Sequence, residues 1–248
     1  NIDDFITISP EVPGFSAGAY DNSINFGGNF DYETRYTVTV SSALKDRWGQ
    51  ELGDAFSYSF STPAPEPKIS LPYIGSPFYF SSAKEPAFYI QSTNIPRVDL
   101  TFGDVALADF FRLFGTNGYD ERQIYQAENE SSWRQDLDIE KNKSQSFALD
   151  LAPNADALTP GIYSLRVWEG GAEGGSSPNY IVASNVNILF KFGTTDALLW
   201  ATDLETNAPI AGQTVSVYDE TGTLIASGTT DAQGIWYGEI PAQEDFYQ

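Results

Sequence analysis

The sequence predicts an all-β chain built as a row of small sandwich domains. Three observations carry that prediction. Short segments alternate apolar and polar residues at period two, as in Tyr36-Thr37-Val38-Thr39-Val40 and Phe56-Ser57-Tyr58-Ser59-Phe60. Turn residues separate such segments at short intervals, with no alternation of strands and long helices. A run with proline at every second position, Pro63, Pro65 and Pro67, divides the chain into modules.

The first module, residues 1–62, places Tyr36, Val38 and Val40 on one face of a strand. The alternation of Phe56–Phe60 predicts a second strand with one face buried. Between them, Leu44–Gln50 is polar and contains Gly49, which suits a turn. Residues 63–68 then read as a stiff, extended linker, because proline cannot pair in a sheet interior and favours polyproline geometry.

The second module is expected over residues 69–184. Its strands are predicted at Ala87–Gln91, Arg97–Phe102, Ser146–Leu151 and Ile162–Trp168. Leu107, Phe110, Phe111 and Phe114 recur at spacings of three and four, which predicts one short helix near 107–114, closed by Gly115. Asn117–Lys143 is polar and charged and reads as a loop around a strand near Trp133. Glu169–Pro178, with four glycines and two serines, reads as a surface loop.

The third module is expected over residues 185–248. Strands are predicted at Val186–Phe192, Leu198–Thr202, Thr214–Tyr218, Leu224–Ser227 and Ile235–Gly238, with turns at Asp219–Gly222 and Thr229–Gly234. Trp200 lies in an alternating strand and is expected in the core. Gln248 comes early for a closed sandwich, so this module is expected to be truncated. Asn1 follows neither an initiator Met nor a leader, and the chain reads as a piece of something longer.

Composition narrows the chemistry. The 34 acidic residues outnumber 13 basic ones, a net charge of -21 that repels nucleic acid and anionic lipid. The acids read as a solvated coat. Apolar residues at 41% still suffice for packed cores. With no Cys there is no disulfide, thiolate site or cysteine nucleophile, and with no His there is no Ser-His-Asp triad or HExxH zinc site. No apolar run reaches the ~20 residues of a membrane span.

Candidate sites are correspondingly few. No pair of carboxylates stands in a context that suggests acid–base catalysis. Asp219, Glu220 and Asp231 lie in turns where calcium could bind, yet turn aspartates ordinarily bond their own backbone. Glu169–Gly175 lacks the Gly-Lys-Ser/Thr ending of a phosphate loop. Trp48, Trp133, Trp168, Trp200 and Trp236 could stack on sugars, with core packing as the ordinary role. No catalytic, cofactor or metal residue is assigned, and no cofactor is expected.

One stretch is more specific. Ala197-Leu198-Leu199-Trp200-Ala201-Thr202-Asp203-Leu204-Glu205-Thr206-Asn207-Ala208-Pro209-Ile210-Ala211-Gly212, then Val215–Asp219, Gly222, and Gly228-Thr229-Thr230-Asp231-Ala232-Gln233-Gly234, resembles the opening of the second macroglobulin domain of bacterial α2-macroglobulins. The Thr-Asp-x-x-Gly turn is in register. Leu158-Thr159-Pro160-Gly161-Ile162-Tyr163-Ser164-Leu165 is similar to a strand of a first macroglobulin-type domain, and Tyr36–Val40 with Phe60-Ser61-Thr62-Pro63 resembles a bacterial Ig-like domain.

The resemblance implies tandem Ig-like and macroglobulin-like sandwiches in the N-terminal part of an exported protease-trapping inhibitor. It would be periplasmic or at the cell surface, with a lipid anchor possible in the parent. The chain would be no enzyme by itself. Its partners would be proteases, met through other parts of the parent, and neighbouring domains of that parent, with no nucleic acid and no direct membrane insertion. The thioester motif Cys-x-Glu-Gln and the bait region lie outside these residues in that family, and this chain has no Cys. The alternative is a cell-surface adhesion or glycan-binding array of Ig-like modules.

Overall fold

A computed structural model describes all residues except 1, 21–22, 73–76, 152–156, 172–175 and 243–248. The chain is all-β, with tandem sandwiches of Ig-like and macroglobulin-like architecture. It separates into two compact units: Asn1–Pro67 with Glu140–Ser144, and Lys68–Ile139 with Gln145–Gln248.

In the first unit, β1 (Ile6–Ser9), β4 (Arg35–Val40) and β5 (Phe56–Ser61) form an antiparallel sheet in the order β1-β4-β5. The hairpin β2 (Ser16–Tyr20) and β3 (Ser23–Gly27) forms its own two-stranded sheet. Tyr36 and Val38 are buried, as their alternation predicts. The Phe30 ring meets Tyr36 edge-on at 5.1 Å, and Tyr36 stacks on Phe60 at 5.7 Å. The expected burial of Phe56–Phe60 holds only at its end: Phe60 is half-buried, whereas Phe56 and Tyr58 are more than half exposed. β5 is an edge strand, and the rings of Phe26 and Phe30 reach Phe60 but no further along it. On the opposite face, hydroxyl pairs Thr37–Ser59 and Thr39–Ser57 tie β4 to β5 at 2.8 and 3.0 Å.

The second unit begins with Lys68, which already lies in β6 (Lys68–Ser70). Then come β7 (Phe78–Phe80), β8 (Ala87–Thr93), β9 (Arg97–Asp104), β10 (Glu130–Asp136), β11 (Ser144–Asp150), β12 (Gly161–Glu169) and β13 (Asn179–Ala183). They make a five-stranded sheet, β10-β9-β12-β13-β7, facing a three-stranded one, β11-β8-β6. Phe88, Ile90, Val98, Leu100, Leu149 and Leu165 fill the core between them. Among the described residues this core is the largest, and it follows from strict alternation of burial on β8 and from the inward-facing Val98 and Leu100 of β9.

The helix α1 (Leu107–Phe114) has the bounds its spacing predicts. Its buried side chain is Leu113, with Phe110 and Phe114 against Tyr180 and Val105, while Leu107 is exposed. Asn117–Lys143 departs from the expected loop, since it holds a second helix, α2 (Tyr119–Ile124), before β10 carries Trp133. The Tyr119-Asp120-Glu121-Arg122-Gln123-Ile124 run has no apolar face for a period to reveal. The glycine-rich loop Glu169–Pro178 lies partly outside the described residues.

The same unit continues into β14 (Val186–Phe192), β15 (Asp196–Asp203), β16 (Thr214–Tyr218), β17 (Leu224–Thr229) and β18 (Ile235–Glu239). One sheet is β14-β15-β18 and the other is the pair β16-β17. Ala197, Leu199, Ala201, Val215, Val217 and Trp236 make their common core. Trp200 departs from its expected place: it is 43% exposed. Register puts it beside Leu189 and Ile235 on the outer face, because the neighbours Ala197, Leu199 and Ala201 take the inner one.

Candidate functional site

The stretch from Ala197 to Gly234 is built around aspartates that fold the chain back on itself. Asp203 closes β15. Its Oδ1 accepts the Glu205 and Thr206 amides at 3.0 and 2.8 Å and the Thr206 hydroxyl at 2.9 Å, and its Oδ2 accepts Asn185 Nδ2 at 2.6 Å. These donors, the Thr206 amide first, hold its carboxyl below the usual carboxylate range. Asn207 turns the chain at φ 58°, and Thr202 then bridges to Pro209. The Pro209–Gly212 connection is tied by Thr230, whose buried hydroxyl donates to Ile210 O at 2.6 Å and accepts from Gln213 N at 2.9 Å.

Two further turns share one design. In Asp219–Thr223 the Asp219 Oδ1 accepts the amides of Thr221 and Thr223 at 2.9 and 2.8 Å. In Asp231–Ile235 the Asp231 Oδ1 accepts those of Gln233 and Ile235, both at 2.9 Å. Each turn has glycine at its fourth position with positive φ, 83° at Gly222 and 74° at Gly234. The same pattern recurs in the first unit, where Asp46 Oδ1 accepts Trp48 N and Gln50 N and Gly49 has φ 86°. The Thr221 hydroxyl and these amides hold the Asp219 carboxyl below its ordinary range. The turn aspartates thus bond their own backbone, as sequence logic expects. Among the described residues, no group of three acids could hold a metal ion.

Glycine also makes room for the core tryptophan of this region. A Cβ on Gly228 of β17 or on Gly238 of β18 would collide with the Trp236 indole. The ring is therefore held between two strands at places only glycine allows. Of the other tryptophans, Trp133 and Trp168 are half-buried, and Trp48 is exposed with the Arg47 guanidinium 4.1 Å above its ring. The Trp133 indole N–H is buried without a protein acceptor.

Within the second unit, α1 reaches the β16–β17 turn. The Phe111 ring lies 4.9 Å from Tyr218, and a Cβ on Gly222 would stand 3.0 Å from the Phe111 ring. Thr116 Oγ1 donates to Glu220 Oε2 at 2.9 Å. A second tie sits at the strand junction: Ser81 Oγ donates to Asn185 Oδ1 at 3.1 Å, and Leu204 N to Asn185 O at 2.9 Å. A shallow cavity of about 300 Å³ opens beside it, lined by Tyr79, Phe80, Val182, Val186 and Leu204. None of these contacts assembles an acid, a base or a nucleophile; the geometry orders strands and orients neighbouring sandwiches.

Sequence reasoning missed the clasp on Trp236 and the contacts of Phe111. A glycine two places from a tryptophan was visible in Trp236-Tyr237-Gly238, but its partner Gly228 becomes visible only once β17 is laid over β18.

Comparison with known proteins bears on this frame. Residues 183–244 match the family described as the bacterial alpha-2-macroglobulin MG3 domain, and residues 6–62 match the bacterial Ig-like domain family. The family is the one the Asp203–Gly234 pattern resembles, although its label, MG3, differs from the ordinal expected above. No curated protein matches. Among solved structures, the chain is similar to native alpha-2-macroglobulin from Escherichia coli spanning domains MG0-NIE-MG1. That likeness has 17% identity and a TM-score of 0.62 over 96% of this chain and 80% of that one. It is similar to a Salmonella alpha-2-macroglobulin mutant at 18% identity and TM-score 0.67, over 97% of this chain. A third likeness is to trypsin-activated alpha-2-macroglobulin from E. coli, at 18% identity and TM-score 0.53 over 70% of this chain. The chain spans only 15% of the Salmonella protein. Among the described residues no helix is long and apolar enough to cross a membrane. Two stretches of the chain therefore match known domain families, a bacterial Ig-like domain at residues 6–62 and a bacterial alpha-2-macroglobulin MG3 domain at residues 183–244, and the chain shares its fold with the bacterial alpha-2-macroglobulins.

Proposed function

We propose that this chain is a non-catalytic structural portion of an exported bacterial protease-trapping inhibitor. The observation that carries the reading is the match of residues 183–244 to a macroglobulin domain, on a stretch whose polar groups are spent on turns rather than on a reaction centre. One of the similar solved proteins is described as activated by trypsin, which supports proteases as the parent's partners. The module layout of 1–62, 69–184 and 185–248 makes the chain a succession of sandwiches, placed in the periplasm or at the cell surface. Residues that meet the protease belong to other parts of the parent, and so would any thioester, since no Cys is present here.

The test compares residues 1–248 with the full-length gene product against trypsin acting on a protein substrate. The chain alone is expected neither to slow trypsin nor to hydrolyse anything, whereas the full-length product slows it. Inhibition by residues 1–248 alone, or none by the full-length product, overturns the reading.

A further inference from the structure

The outer face of the sheet β14-β15-β18 is an exposed apolar surface that carries two aromatic rings. Register sets Leu198 and Trp200 of β15 beside Lys191 and Leu189 of β14 on one side, and beside Tyr237 and Ile235 of β18 on the other. Leu189, Trp200 and Tyr237 are 41%, 43% and 63% exposed, while the inner-facing Ala197, Leu199, Ala201 and Trp236 are buried. Trp200 and Tyr237 stand on a diagonal between neighbouring strands, about 7–8 Å apart at the backbone, a span that one long side chain covers.

The polar tips on this face are already taken. Trp200 Nε1 donates to Gln233 O at 3.2 Å, the Tyr237 hydroxyl to Asp196 Oδ2 at 2.5 Å, and Asn187 Nδ2 to Thr202 Oγ1 at 3.2 Å. The two rings are tethered by those tips and keep their π faces to offer. At one end of the same face Asp196 stands directly opposite Glu239 on the neighbouring strand. Like charges so placed repel, and among the described residues neither forms an ion pair. Residues 185–248 hold nine Asp and Glu against a single base, Lys191. Lys191 stands across Leu198 from Tyr237, so the β18 side of the face is left to the carboxylates.

We propose that this face receives a basic segment of another polypeptide. An arginine or lysine of that segment lies over Trp200 and Tyr237 with its charge toward Asp196 and Glu239, and a neighbouring apolar side chain covers Leu189 and Leu198. Charge decides the occupant. A cation gains both from the π faces and from two carboxylates that lack a counter-ion. An acidic segment is repelled, and so is a second copy of this chain, at net charge -21. A neutral sugar is poorly served, because the polar tips that would hold its hydroxyls are spent within the sheet. The inference goes beyond the protease-trap reading and stands whether or not the parent inhibits proteases.

The test is calorimetric titration of the chain with the end-blocked peptide Leu-Arg-Leu-Arg-Leu-Arg and with its citrulline counterpart, which keeps the size and lacks the charge. The arginine peptide is expected to bind roughly tenfold more tightly than the citrulline one. The double variant Trp200→Leu, Tyr237→Leu keeps the net charge, and it is expected to bind the arginine peptide about fivefold more weakly. Unchanged affinity in that variant means attraction by net charge alone and overturns the proposal, as does equal binding of the two peptides. Binding of chitohexaose in place of the arginine peptide overturns it in favour of a glycan platform. If the double variant does not fold, the indole N–H resonances of the unsubstituted chain decide. The arginine peptide is expected to move the Trp200 signal and leave that of the exposed Trp48 in place, and a Trp200 signal that stays put sinks the proposal.

Discussion

Gly234 carries two demands at once. Its φ of 74° suits glycine, and a Cβ there would run into the Ala201 carbonyl. Gly234→Ala is therefore expected to cost about 2 kcal/mol or more, read from the urea midpoint of residues 1–248. The aspartate opening a turn acts differently, by accepting amides that would otherwise face water. Asp203 and Asp219 are both held below the ordinary carboxylate range by those donors. Their folded values lie below the unfolded value of about 3.9, so the stability they add is present above that pH and lost as pH falls through the folded values. Asp219→Asn keeps an acceptor and removes the titration. The urea midpoint of this variant is expected to fall less steeply between pH 5 and 3 than that of the unsubstituted chain. An identical slope would mean the carboxylate does not matter to the turn.

At the scale of elements, the fit of Trp236 between β17 and β18 predicts that Gly228→Ala forces the indole from its seat. Overpacking of this kind costs about 1–3 kcal/mol, and calorimetry of the variant measures it. The contact of α1 with the β16–β17 turn is a separate matter. Phe111 and Tyr218, with rings 4.9 Å apart, are expected to couple by about 0.5–1.5 kcal/mol in a double-mutant cycle on Ala substitutions. Legibility divided along the same line. The bounds of α1 were visible because its apolar residues recur at helical spacing, and the turns because Asp and Gly carry their own geometry. α2 was not visible, since a short polar helix has no period. Trp200 and the Phe56–Tyr58 strand were misjudged for one shared reason. Alternation tells which residues share a face, but burial depends on what lies opposite, and that is decided by strands distant in sequence. As for a site, the absence of His and Cys excluded triads and thiolate chemistry from the start. The ties through Asn185 and Thr116 needed the fold.

For the whole molecule, the chain divides into two compact units, Asn1–Pro67 with Glu140–Ser144 and Lys68–Ile139 with Gln145–Gln248. Thermal unfolding of residues 1–248 is expected to show more than one transition. Gly234→Ala should lower one and leave unmoved the one that belongs to residues 1–67. A single transition shifted as a whole would mean that the two units unfold together. The grip on Trp236 has a use of its own here. Its indole sits in apolar surroundings, while Trp48 in the other unit stands in water. Their emission should fall at longer wavelength for Trp48 and shorter for Trp236, so once Trp133, Trp168 and the exposed Trp200 are replaced by Phe the two remaining indoles distinguish the two units optically.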